Sequence, residues 1–174
     1  SNSNNNNNEP QIQAKKEMLR PLAKKKLQDH VKEYLNNYSK EMKMEKAVEI
    51  RREGFPEKLR PDLIVWAVSL SCDFDSVAQD RVAELLVEFR QQRPPIMTSK
   101  EFVRGLELTV GRLPDLETDC PSAKKIVAHM AKICQNGKCW DEEDEASAAF
   151  CGVLALTTNT NGDEKTKDDL TAVV

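Results

Sequence analysis

Pro61-Asp-Leu-Ile-Val-Trp-Ala-Val-Ser-Leu70 is the stretch on which the fold of this chain turns. Ile64, Val65, Ala67, Val68 and Leu70 surround Trp66 in a nearly continuous apolar run. The run opens on a proline, whose missing N–H is one of the orphan donors of a helix's first turn. A helix that is apolar almost all the way round has to be buried. The spacing therefore predicts a central packing helix with the other elements arranged about it.

Outward from it the pattern stays helical. Upstream, Leu27, Val31, Tyr34, Leu35 and Tyr38 recur at intervals of three and four, the apolar stripe of a helix running from about Leu22 to Tyr38. A second helix follows over Glu41 to Glu53, with Met44, Ala47, Val48 and Ile50 on one side and Gly54 placed to end it. Phe55-Pro56 breaks the chain. Downstream, Cys72 to Asp75 ends the central helix, and Asp75 or Ser76 caps the next, whose stripe is Val82, Leu85, Leu86 and Phe89. Thr98 or Ser99 caps a fifth helix with Phe102, Leu106, Val110 and Leu113 facing inward and Gly105 admitting a close neighbour. A sixth starts at Pro121-Ser122 and turns Ala123, Ile126, Val127, Met130 and Cys134 inward. No segment alternates with period two, and glycine is scarce. The expected fold is all-α, built of stacked antiparallel helix pairs of the solenoid type.

Composition divides the chain into three. Residues 1–21 are polar and basic, opening on an asparagine run and reading as disordered or partly helical; 22–140 are the helical domain; 141–174 read as an acidic, disordered tail. Within the tail, Phe150 to Leu156 is a brief apolar island, read as a short interaction segment or a collapse site. The net charge of −3 predicts no general attraction to nucleic acid. Its distribution is uneven, however. Lys15, Lys16, Arg20, Lys24, Lys25 and Lys26 crowd into the N-terminal segment, where they could neutralise RNA phosphates or simply form a solvated helix face. Five cysteines without a regular spacing suit reduced thiols and a cytoplasmic location, and Cys134 and Cys139 lack the spacing of a zinc site. His30 and His129 are isolated in the sequence, and neither carries a catalytic reading.

One stretch stands apart from the helical stripes. Leu113-Pro-Asp-Leu-Glu-Thr-Asp-Cys-Pro-Ser-Ala123 holds three carboxylates, Asp115, Glu117 and Asp119, between two prolines that bias their preceding residues away from helical geometry. It reads as a bent, exposed acidic loop that presents charge, with Asp119 also able to cap the following helix. The stretch has neither the ligand spacing nor the glycine turn of a calcium loop, and nothing marks a pocket that would split the carboxylates' pKa values for catalysis. No metal, cofactor or enzymatic activity is expected.

The order of these pieces resembles the MA-three domain of translation-initiation scaffolds (initiation factor 4G and its shorter relatives) and of the programmed-cell-death translation inhibitor. The residues that carry the resemblance are Val31-Lys-Glu-Tyr-Leu35, Glu45-Lys-Ala-Val48, Arg52-Glu-Gly-Phe-Pro56, Val65-Trp-Ala-Val-Ser-Leu70, Ala83-Glu-Leu-Leu86, Phe102-Val-Arg-Gly-Leu106 and the 113–123 stretch. Pro-x-Leu-x-x-Asp-x-Pro-x-Ala in that stretch is the most specific of them. The resemblance implies a HEAT-like stack of helical hairpins with no activity of its own, binding the DEAD-box RNA helicase of translation initiation through acidic side chains. Carried over by position, these are Asp115 and Asp119, with Asp73 after the third helix; Glu117 and Asp75 join them by proximity. One such domain is present, whereas the inhibitor carries two, and the scaffolds' second helical-repeat domain has no counterpart in this sequence.

Overall fold

The computed structural model describes residues 9–146 and 150–158, with side chains from Leu19 onward. Every regular element among these residues is helical: α1 Glu9–Asn36, α2 Lys40–Glu53, a 3-10 turn Glu57–Leu59, α3 Arg60–Ser71, α4 Ser76–Gln91, α5 Ser99–Gly111, α6 Leu113–Asp119 and α7 Ala123–Asn136. A second 3-10 turn, Glu142–Ala146, leads toward a last helical run at 150–158, α8.

α3 is the hub, as its sequence requires. It packs against α1, α4, α5 and α7, and Asp62, Leu63, Ile64, Val65, Trp66, Ala67 and Val68 are buried in succession. Its tightest neighbour is α5, and the reason is Gly105. A Cβ on that residue would lie 2.7 Å from Ile64 side-chain carbons and from the Pro61 carbonyl oxygen, so only glycine lets the two backbones approach this far. The stripe expected of α4 is the buried one, that of α7 is buried apart from the half-buried Ile126, and α4 and α7 pack on each other.

The helix ends are set by side chains. Ser39 accepts from the Met42 N–H at the start of α2, and Asp75 from the Ala78 N–H at the start of α4. Thr98 and Glu101 form a reciprocal capping box on α5, satisfying two otherwise orphaned donors. Gly54 ends α2 with φ 73°, a conformation open to glycine and strained for other residues.

Four expectations need correction. α1 begins at Glu9 rather than near Leu22, because Gln11 to Arg20 is rich in good helix formers and the helix continues through Pro21. In α2 the buried residues are Lys46, Ala47 and Ile50, while Met44 is exposed; the helix is rotated so that a charged residue takes an interior position. The proline-fenced stretch is not a loop, since Leu113–Asp119 forms α6. Pro114 sits in its first turn, where a proline removes no helical hydrogen bond, and Leu113 and Leu116 hold it to the core. Finally, part of the expected tail is ordered: Phe150, Val153 and Leu156 are buried, and Phe150 lies edge-on to Trp140, the last residue of the expected domain, with centroids 5.2 Å apart. The expected disorder at residues 1–8, 147–149 and 159–174 lies outside the described residues.

Candidate partner-docking surface

α6 decides how its three carboxylates are presented. Four residues are a little more than one helical turn, so Asp115 and Asp119 share a face, while Glu117 falls on the opposite flank. All three are exposed. Asp119 does not cap α7: the residue at that cap is Ser122, and no side chain bonds the first turn.

Asp73 is exposed on the turn that ends α3, and its N–H donates to the Leu70 carbonyl at 3.1 Å. Two cysteines join this turn to the end of α6. Cys120, the residue after Asp119, has its Sγ 3.8 Å from the carbonyl oxygen of Cys72, the residue before Asp73. The structure thus brings Asp73 next to the α6 terminus and leaves Glu117 facing elsewhere. Asp73, Asp115, Glu117 and Asp119 take part in no ion pair with the described residues. Asp75, close by, is committed to capping α4.

The basic N-terminal residues are arranged differently. Arg20 pairs with the buried Asp62 at 2.8 Å, and Lys26 with Glu53 at 3.2 Å, so both bind the protein's own carboxylates. Lys24 and Lys25 are exposed. Lys15 and Lys16 lie outside the residues whose side chains are described.

A second cluster escaped sequence reasoning altogether. Lys46, with no exposed surface, points its ammonium at Glu49 (2.7 Å), Glu33 (3.0 Å) and His30 Nδ1 (3.5 Å). His30 Nε2 bonds in turn to Glu53, which also meets Lys26. Because Nδ1 accepts from Lys46, the ring proton belongs on Nε2, directed at Glu53. Burial pulls the Lys46 ammonium toward deprotonation, but the hydrogen bonds it donates to Glu49 and Glu33 outweigh it and hold its pKa above the ordinary lysine value. The hydrogen bond from His30 likewise holds Glu53 below the ordinary carboxylate range, against an opposing contribution from burial. The ligand atoms of His30, Glu33 and Glu49 lie within 4.8 Å of one another, close enough to share a metal ion. The Lys46 ammonium already stands among them, so the cation of this cluster is the protein's own. Only the i, i+3 spacing of Lys46 and Glu49 hinted at the network; Lys26, His30 and Glu33 come from α1, which the periodicity cannot align with α2.

No model of a known protein family matches the sequence, and a search of curated proteins finds no match either. Among the described residues no helix is long and apolar enough to cross a membrane.

Proposed function

We propose that this chain is a non-enzymatic adaptor of the MA-three type, with a HEAT-like helical stack, that docks a cytoplasmic DEAD-box helicase and regulates translation initiation. The observation that carries the reading is the exposed pair Asp115 and Asp119 on one face of α6, with Asp73 on the adjoining turn and none of them bound to a cation of the described residues. Carboxylates left in this state are available to Arg and Lys of a partner, and complementary charge of this kind sets association rate and specificity before it sets affinity. Asp115 and Asp119 carry the contact; Asp73 extends it; Glu117 lies on the far flank of α6 and contributes little.

RNA binding through the N-terminal cations is the less favoured reading, because Arg20 and Lys26 are already in ion pairs and the remaining exposed cations carry no interleaved aromatics. The test is a titration of the initiation helicase against the double variant Asp115→Ala/Asp119→Ala. Affinity falls at least about tenfold, as for truncation of a desolvated charge pair, while Glu117→Ala binds like the wild type. Asp75→Ala serves as a stability control: it loosens α4 by about 1 kcal/mol without changing affinity. Unchanged helicase binding by a folded double variant would refute the proposal. Salt-sensitive RNA binding lost in Lys24→Ala/Lys25→Ala would favour the alternative.

A further inference from the structure

Cys72 and Cys120 belong to elements 48 positions apart in sequence. Cys72 closes α3 and Cys120 follows α6 directly. Besides lying 3.8 Å from the Cys72 carbonyl oxygen, the Cys120 thiol adjoins the Cys72 thiol, and its sulfur is 3.7 Å from Ser122 Oγ. Both cysteines are reduced and partly accessible to solvent. The chain's other close pair differs in this respect: Cys134 and Cys139 are buried, out of reach of solutes. Cys151 is exposed on α8.

From this juxtaposition we infer that Cys72 and Cys120 form a peroxide-driven disulfide that fastens the end of α3 to the joint between α6 and α7. The Cys120 thiolate attacks one oxygen of hydrogen peroxide. The O–O bond breaks, hydroxide leaves, and Cys120 becomes a sulfenic acid. The Cys72 thiol then loses its proton to solvent and attacks the Cys120 sulfur; the S–S bond forms, the S–O bond breaks, and the departing hydroxide takes a proton from solvent to leave as water. In total two thiols give up two electrons and two protons, and one peroxide becomes two waters. Burial, reinforced by the neighbouring Cys120 thiol and by Asp73, pushes the Cys72 thiol up to about 11. Cys72 is therefore the resolving partner, and the closing step quickens with rising pH below that value.

The site is independent of any helicase, although its two cysteines adjoin Asp73 and Asp119. Trypsin isolates the pair conveniently, because residues 59–81 contain Cys72 and residues 113–124 contain Cys120, each as the sole cysteine. The full-length chain is treated with hydrogen peroxide, alkylated and digested without reductant. The expected product is the 59–81 peptide joined to the 113–124 peptide with loss of two hydrogens, formed faster at pH 9 than at pH 7. Cys72→Ser abolishes the joined species and leaves a sulfenic acid on Cys120 that dimedone traps; Cys120→Ser leaves Cys72 unmodified at the same dose. The inference is overturned if the two peptides stay separate while Cys151 oxidises, or if protein unfolded in guanidinium yields the joined peptides as readily as folded protein.

Discussion

At the scale of single residues, the two glycines of α5 make opposite demands on their surroundings. At Gly105 an added methyl would meet the Ile64 side chain and the Pro61 carbonyl oxygen at 2.7 Å. The carbonyl belongs to the first turn of α3 and cannot rotate away, so α3 and α5 have to separate. Overpacking of this kind costs about 1–3 kcal/mol, more than the ~1 kcal/mol that alanine gains over glycine within a helix. At Gly111 a Cβ meets nothing within 4 Å and φ is not positive, so only the propensity gain remains. Gly105→Ala is expected to lower the urea midpoint and Gly111→Ala to raise it slightly, by about 0.5 kcal/mol because it sits at the frayed end of α5. Equal effects from both substitutions would mean that the α3–α5 contact is looser than its geometry.

At the scale of elements, α1 and α2 are held together by a chain of charges as much as by apolar contact. His30, Lys46 and Glu53 link the two helices, and Glu53 also meets Lys26. Glu53 is held below the ordinary value of 4.5, first by the His30 hydrogen bond. A carboxylate whose folded-state pKa is depressed contributes stability that is fully present above its unfolded value and disappears as pH falls through the folded one. The stability gap between wild type and Glu53→Gln should therefore be about 0.5–1 kcal/mol at pH 7. It should close as pH drops below 4.5, a course that denaturation at a series of pH values would follow. A gap that persisted undiminished in acid would remove Glu53 from the network. Such pairings explain why some of the fold was unreadable. Periodicity placed α3, α4, α5 and α7 because their stripes are long and apolar. It misplaced the inner face of α2 because Lys46 is buried there through its partners, Glu49 on α2 and Glu33 and His30 on α1. α6, at seven residues, is too short to show a period, and a helix so short is costly to nucleate alone. Leu113 and Leu116 packing on the core stabilise it, and that packing cannot be read locally. The acidic residues of the candidate surface were legible as types. Which of them share a face was not, since a loop and a helix distribute the same three carboxylates differently.

At the scale of the whole molecule, the helical domain extends past Trp140 to close its own core. Trp140 lies 6.3 Å from Phe102 of α5 and 5.2 Å from Phe150 of α8, and its indole N–H donates to Glu145 at 2.9 Å. Ser99, at the start of α5, donates to Asp144 and accepts from the Asp141 N–H, so the acidic turn is tied to the same helix. Composition pointed the other way, because Asp141-Glu-Glu-Asp-Glu145 dominates the stretch, whereas burial is decided by the four apolar side chains Trp140, Phe150, Val153 and Leu156. Phe150 has no exposed surface, and its replacement by alanine leaves a void beside Trp140. Such a substitution costs about 3–5 kcal/mol, a large share of the ~5–15 kcal/mol by which a domain is stable. Phe150→Ala should therefore melt well below the wild type. In a Trp66→Phe background, where Trp140 is the remaining tryptophan, its native emission should also shift to the red as the indole meets water. If emission and melting temperature both stayed at their wild-type values, α8 would be an appendage and the core would end at α7. The same measurement on a chain stopped after Ala146 separates the two contributions: loss of Phe150 alone opens a cavity, while loss of α8 also uncovers the face that Val153 and Leu156 bury, and the truncated chain should be the less stable of the two.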